Sequence, residues 1–444
     1  MHALLPPAAL ALFASASLAQ TVESLWFGYG STWVEDLNGD GWHDVALTDP
    51  EVGSGEAGAP SQGAVVMLSG VDGSVLGVLE PGAHESRFGW SVAALDDLDE
   101  DGVGELAVWG SADRPGEQAH SYVRTLSPKS GAVLWEHRAA PNFTWTLGMG
   151  RIPDVNGDGV AEVAAWGADP AHADESDVWQ SLQVLSGSDG ELLVEHARRA
   201  PTWLRLREVR AIEDQDGDGQ LDFVVLTYEI DERNVRHERV EIRSGASDEL
   251  IARLPLAVEL ENVLEVADLD GDGSSEILLT AASDPFGMRS NPNGEPDPGS
   301  VIVLDVEERA VERVLIVRNQ AGTRRPARAL GVVDSPTRRL LVAGTPSSAE
   351  ESLFALDVAD ENWKWTIGGQ AMRERAKSDE WLTDHLGEWV EIDPRADAEG
   401  GRSGLSGTAN PHWGHAHTVW CFDAWTGETR FIVDAGGVRA AAGF

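Results

Sequence analysis

The chain has 444 residues, is 42% hydrophobic, and carries 75 acidic against 33 basic side chains for a formal net charge of -42. Nucleic acid and anionic membranes are held through Lys and Arg contacts, so this balance excludes nucleic-acid binding as a main function. A single cysteine, Cys421, rules out an intramolecular disulfide, and stability must come from a large core or from bound ions.

Residues 1–20 contain the apolar run Ala-Leu-Ala-Leu-Phe and then Ser17-Leu18-Ala19 before Gln20. This is a secretory signal-peptide pattern over 1–19, although its first residues offer only His2 and no Lys or Arg; the alternative is a structural N-terminal helix. It predicts a secreted, cell-surface or periplasmic protein. No later stretch approaches 18 uninterrupted apolar residues, so no membrane span is expected.

From residue 36 onward one loop recurs five times. It reads Asp36-x-Asn38-x-Asp40-Gly41-x-x-Asp44, Asp97-x-Asp99-x-Asp101-Gly102-x-x-Glu105, Asp154-x-Asn156-x-Asp158-Gly159-x-x-Glu162, Asp214-x-Asp216-x-Asp218-Gly219-x-x-Asp222 and Asp268-x-Asp270-x-Asp272-Gly273-x-x-Glu276, at steps of 61, 57, 60 and 54 residues. Oxygen donors at positions 1, 3, 5 and 9 with Gly at 6 suit a hard divalent cation, above all Ca²⁺. An EF-hand would need a bidentate Glu at position 12, where this chain has Leu47, Val108, Ala165, Val225 and Leu279 inside alternating strands. The acid at position 9 is therefore read as closing the cage, helped by the position 7 carbonyl of Trp42, Val103, Val160, Gln220 and Ser274. Solvated acidic turns are the plainer alternative, but carboxylates this close repel strongly. Acidic pairs such as Asp96-Asp97 are read as part of these loops.

Each loop lies between two apolar strands and is followed by a hairpin whose turn starts at Ser69, Ser127, Ser186, Ser244 or Asp305, and two more hairpins turn at Asp357 and Asp423. Two further strand pairs, around Asp334 and around Asp393, complete the sixth and seventh units without an intact loop. Arg338 and Arg339 lie where unit 6 would hold a metal, and Arg395 occupies a ligand position in unit 7. They are either fixed internal cations paired with Asp334, Asp393 or Asp397, or exposed arginines in decayed loops. Seven units of four strands predict an all-β, seven-bladed β-propeller of antiparallel blades, over about 24–80, 86–138, 143–198, 203–254, 259–317, 325–367 and 384–434.

At this point the chain resembles the FG-GAP repeat family, the propeller of integrin α-chain heads and of many bacterial secreted proteins. The resemblance rests on Phe27-Gly28, Phe88-Gly89 and, loosely, Leu386-Gly387 ahead of the D-x-[DN]-x-D-G-x-x-[DE] loops. The family's small-residue segment is matched in outline by Thr48-Asp49-Pro50, Gly110-Ser111-Ala112 and Gly167-Ala168-Asp169. It implies a scaffold stabilised by Ca²⁺ at about five sites, which binds a protein or glycan on the face opposite the metals. Adhesion without catalysis is the leading expectation; the alternative is an extracellular polysaccharide lyase or hydrolase on a propeller frame.

No nucleophile elbow, phosphate-cradling glycine loop or His-Glu-x-x-His is present, and no catalytic residue is assigned. His412-x-x-His415-x-His417 has a spacing that binds Zn²⁺ only if the loop curls, and is read as loop histidines near a binding face. Trp26, Trp90, Trp145, Trp203, Trp109 and Trp166 recur at fixed places in the repeat, which points to packing between blades. Trp179, Trp381 and Trp413, with the basic run Arg324-Arg325-Pro326-Ala327-Arg328, fall on the long-loop face and are candidates for ligand contact.

Overall fold

The computed structural model describes residues 29–50, 62–113, 115–139, 145–168, 177–201, 204–230, 236–254, 260–269, 274–281, 300–316, 329–335, 338–344, 353–358, 363–367, 389–393, 395, 403–407, 418–424, 426 and 428–434. Among them all regular structure is β, arranged as seven antiparallel blades in a ring. None of the described residues belongs to a helix long and apolar enough to cross a membrane.

Each blade is a meander of consecutive strands. Blade 1 pairs Ser31–Val34, Asp44–Asp49, Ala64–Leu68 and Val75–Leu79; blade 2 pairs Val92–Ala94, Leu106–Ala112, His120–Leu126 and Val133–Arg138, with Glu85–Ser86 extending its first edge. Blade 3 runs Trp145–Ile152, Glu162–Ala168, Asp177–Leu185 and Leu192–Pro201, and blade 4 runs Leu204–Ile212, Asp222–Ile230, Arg236–Arg243 and Leu250–Leu254. Blade 5 comprises Leu260–Ala267, Glu276–Ala281, Ser300–Asp305 and Ala310–Ile316. Blades 6 and 7 comprise Ala329–Ser335, Arg338–Gly344, Leu353–Asp357 and Trp363–Ile367, then Trp389–Ile392, Ser403–Gly407, Thr418–Asp423 and Thr429–Asp434.

The pleat explains why the middle strands read as unbroken apolar runs. Val45, Leu47, Val66 and Leu68 pack towards blade 7, while the residues between them, Ala46, Val65 and Met67, pack towards blade 2. With both faces of a sheet buried, a period of two leaves no polar position to alternate with. The outermost strands lose this cover, and Val133 is 51% exposed and Val311 46%. Seven apolar clusters result, one between each neighbouring pair of blades, including one between blades 7 and 1.

The Phe-Gly signature has a local cause in blade 2. Phe88 is fully buried among blade 1 and blade 2 side chains, and its N–H donates to the Gln62 carbonyl at 3.0 Å. Gly89 follows at φ +85°, where a Cβ would lie 2.8 Å from the Ala64 carbonyl, so only glycine fits the turn. Trp109 and Trp166 fill the blade 2/3 and blade 3/4 clusters, which is the packing role the repeat predicts. Phe27, Gly28, Leu386, Gly387, Trp26 and Trp203 lie outside the described residues.

Ring closure uses no shared strand: blade 7 and blade 1 each supply all four of their own. Trp33, Val45 and Leu47 meet Leu405, Val419, Cys421 and Phe431 in the seam. Burial pushes the Cys421 thiol up to about 12, so it serves as a small apolar side chain.

Candidate metal centres and axial cavity

The four loops of blades 1 to 4 share one backbone arrangement. At position 1, Oδ2 of Asp36, Asp97, Asp154 and Asp214 accepts the N–H of the position 6 glycine at 2.6, 2.8, 2.8 and 2.8 Å. At position 5, Oδ1 of Asp40, Asp101, Asp158 and Asp218 accepts the N–H of position 7 at 2.8 to 2.9 Å. Gly41 and Gly159 stand at φ +89° and +90°; Gly159 has open space around it, so glycine is required there by backbone angle and not by crowding. Glu100 takes the left-handed position filled by Gly39, Gly157 and Gly217 in the other loops. The N–H groups of Gly219 and Gly217 hold the Asp214 carboxyl below its ordinary value.

These turns gather carboxylates. Oxygens of Asp97, Asp99 and Asp101, of Asp154, Asp158 and Glu162, and of Asp214, Asp216 and Asp218 lie within 4.8 Å of one another in each set. Asn38 and Asn156 occupy position 3 in the loops of blades 1 and 3, and Asn156 Nδ2 donates to Asp158 Oδ2 at 3.1 Å. In blade 5 only Asp268, Ser274 and Glu276 of the ligand set are described, and Asp270 and Asp272 lie outside.

The ninth-position acids are all buried, at 3% exposure or less, unlike the loop acids above them. Each accepts the N–H of the second loop residue: Leu37 at 2.7 Å, Leu98 at 2.5 Å, Val155 at 3.2 Å, Gln215 at 2.5 Å and Leu269 at 2.5 Å. In blades 1, 3 and 4 the other oxygen accepts the N–H of the glycine after the hairpin serine, Gly70, Gly187 and Gly245, at 3.0 Å in each case. Position 9 therefore ties the loop to the hairpin turn. Blade 2 breaks the pattern, because Pro128 stands where these three have glycine and has no N–H to give. Glu105 Oε1 is accordingly buried without a partner. Burial, with Asp99, Asp97 and Asp101 adding repulsion, pushes Glu105 up to about 7; burial likewise pushes Asp44 up to about 6.

Acids immediately before the loops have a role of their own, which their spacing alone did not reveal. Glu35 Oε2 accepts the Gly104 N–H at 2.7 Å, Asp96 Oδ2 accepts the Ala161 N–H at 2.8 Å, and Glu213 Oε1 accepts the Ser275 hydroxyl at 2.6 Å. Every acceptor reaches the eighth loop residue of the next blade. The doubled acids Glu35-Asp36, Asp96-Asp97 and Glu213-Asp214 are the visible trace of this in the sequence.

At the seam, Arg395 is the fixed cation that one sequence alternative allows. Its backbone N–H and its Nε bond Asp393 Oδ1 at 3.0 and 3.4 Å, and its Nη1 pairs with Glu35 of blade 1. Arg339 Nη2 lies 3.8 Å from Asp268 Oδ2, the first ligand position of blade 5, a partner the sequence did not indicate. The side chains of Arg338 and Asp334, and all of Asp397, lie outside the described residues.

Two features had no sequence signal. Glu85 is buried and accepts from Gly82 N–H, Tyr122 Oη–H and both Arg124 Nη groups at 2.7 to 2.9 Å, with Glu136 bridging Arg124 Nη2 at 2.6 Å. Such a saturated carboxylate is a strut. A cavity of about 500 Å³ lies among the first strands of blades 1 to 4, with Tyr29, Trp90 and Trp166 and the arginines Arg151 and Arg210 in its lining. Tyr29 and Trp90 stand at equivalent places, seven residues before Asp36 and Asp97, and their rings meet at 5.1 Å. The candidate ligand residues Arg324 to Arg328, Trp381, His412, Trp413, His415 and His417, and the Trp179 side chain, lie outside the described residues.

No protein-family profile matches the chain, and no curated protein matches it in sequence. Among solved structures, cobalt-substituted Synechocystis ACO is 14% identical with a TM-score of 0.46, over 91% of this chain and 95% of that one. The β-propeller domain of the Trilobed protease from Pyrococcus furiosus is 12% identical with a TM-score of 0.42, over 88% and 91%. The dihydro-heme d1 dehydrogenase NirN is 12% identical with a TM-score of 0.41, over 88% and 63%. At TM-scores below 0.5 these likenesses carry no argument about function, and the propeller architecture rests on the chain's own sheets and seams.

Proposed function

We propose that this chain is an exported, calcium-stabilised β-propeller that acts as a non-catalytic binding or adhesion scaffold for a protein or glycan ligand. Asp36, Asn38, Asp40 and Asp44, with their counterparts in blades 2 to 5, would hold the ions. Ca²⁺ would supply neutralising charge and one fixed conformation for each loop.

The observation that carries this reading is Glu105. Its carboxyl is fully buried with one oxygen unpartnered, beside three carboxylates gathered in one turn. That arrangement opposes folding on its own and is relieved by a divalent cation. Glu85, the carboxylate buried in blade 2, is saturated by donors and so serves as a strut and not as a general base, which favours the binding reading. The ligand face would be the one opposite the metal loops, where long connections sit on a rigid frame, and residues 1–19 would direct export.

Thermal unfolding in Ca²⁺ and in EDTA tests the proposal. A melting temperature several degrees lower in EDTA, restored by added Ca²⁺ but not by Na⁺, is expected. An unchanged melting temperature overturns it.

A further inference from the structure

We infer that the seam between blades 2 and 3 holds one buried water molecule, bound between Ser121 and Trp109 of blade 2 and Ser181 of blade 3. This site is separate from the acidic loops and needs no metal.

The pleat brings the three side chains together. In the third strand of blade 2, Tyr122 and Leu126 pack towards blade 1 and Val123 packs towards blade 3, so Ser121 shares the blade 3 side. In the third strand of blade 3, Leu182 and Val184 face blade 4 and Leu185 faces blade 2, so Ser181 looks back at blade 2. Trp109 belongs to the same apolar cluster as Val123 and Leu185. Both serines lie well before the hairpin turns that follow Leu126 and Leu185, hence towards the face opposite the acidic loops. There Ala139 and Ala165 are too short to fill the seam, which leaves a cavity of about 20 Å³ for the centre of a water-sized sphere.

Ser121 Oγ, Ser181 Oγ and Trp109 Nε1 have no hydrogen-bond partner among the described residues, and all three residues are 2% exposed or less. Unpaired buried groups around one small cavity oppose folding unless something there pairs with them. Trp109 Nε1–H can only donate, so the occupant must accept, which excludes a cation. Burial holds the His137 imidazole below its ordinary value, and the described lining contains no Lys or Arg, so an anion would find no balancing charge. Water both accepts and donates, and it needs only about 10–15 Å³ of such space and about two to four polar partners. It accepts from the indole and from one serine hydroxyl and donates to the other, which satisfies all three groups with one molecule.

A crystal structure of the full chain at a resolution that shows ordered solvent tests this. Density for one water is expected within about 2.7–3.2 Å of both serine hydroxyls and the indole nitrogen, and soaking in bromide should leave no anomalous signal there. Thermal unfolding of Ser121→Ala, Ser181→Ala and the double variant reads the same site in solution. Each single change strands the groups that shared the water and should lower the melting temperature by about 1–2 °C. The double variant should melt no lower than the worse single one, because both changes remove the same water. A cavity without density, a bromide peak, single variants that melt as the wild type does, or losses that simply add overturn the inference. None of these outcomes bears on the calcium reading.

Discussion

Asp393 Oδ2 lies 2.5 Å from Nδ1 of His43, joining residues 350 positions apart across the point where the ring closes. His43 is the eighth residue of the blade 1 loop, the same place that Glu35, Asp96 and Glu213 reach in the blades that follow theirs. Arg395 adds a second tie to Glu35, and Arg430 stacks over Trp42 with its Cζ 4.4 Å from the ring centroid. Glu35 thus contacts both neighbours at once, blade 7 through Arg395 and blade 2 through Gly104. The face that carries the acidic loops is knitted from blade to blade, and the seam is one more stitch of the same kind.

Asp393 is 1% exposed, and its removal takes the carboxylate from His43 and leaves Arg395 with Glu35 as its remaining acid at the seam. Asp393→Ala should cost on the order of 2–4 kcal/mol, less than a fully buried pair because His43 and Arg395 keep some solvent. Denaturant unfolding should show the loss both in Ca²⁺ and in EDTA. A change under about 0.5 kcal/mol would mean that the apolar cluster closes the ring unaided.

Glu105 gives the calcium-free protein an unusual pH response. Its folded-state value of about 7 lies above the ordinary carboxylate value, so the folded form binds the proton more tightly and the burial penalty is fully present only above pH 7. Stability in EDTA should therefore rise as the pH is lowered from 8 towards 5, with Asp44, at about 6, contributing in the same direction. Calcium, which needs the ionised form, should reverse the trend. Glu105→Gln should flatten the EDTA profile and stabilise that form by about 1–3 kcal/mol at pH 8 while weakening calcium retention. A wild-type profile that is flat or slopes the other way in EDTA would contradict the assignment.

Gly187 tests the tie between loop and hairpin. A Cβ there would lie 1.9 Å from the Ala161 carbonyl, and the residue's N–H is the one that Glu162 accepts. Gly187→Ala should destabilise by roughly 2 kcal/mol or more, since backbone and not a mobile side chain must give way. Equilibrium unfolding beside Gly157→Ala, whose cost comes from its φ of +81° with open space around it, separates the two effects; equal losses would count against the close approach.

Much of this was legible in the chain. Fivefold recurrence of the acidic loop and sevenfold recurrence of the hairpin fixed strand order and blade number, because each unit repeats the same burial on both faces. The hairpin residue changes from Ser to Asp and still caps the same turn. Ser127 and Ser244 accept the N–H three residues on at 3.3 Å, as Asp305 and Asp423 do at 2.6 and 2.8 Å. What stayed hidden depends on pairs far apart in sequence. Glu35 and Gly104, or Arg339 and Asp268, become neighbours only once the ring is drawn. The axial cavity likewise has no pattern of its own, being assembled from first strands whose glycines and aromatics read singly as ordinary strand residues.

Counting ions tests the central claim most directly. Metal analysis of the purified chain after dialysis against micromolar Ca²⁺ should return five calcium ions per chain, one for each intact loop of blades 1 to 5, with none in blade 6, which has no acidic loop, or in blade 7, where Arg395 pairs with Asp393. A chain that retains no calcium, or one that holds seven, contradicts the account.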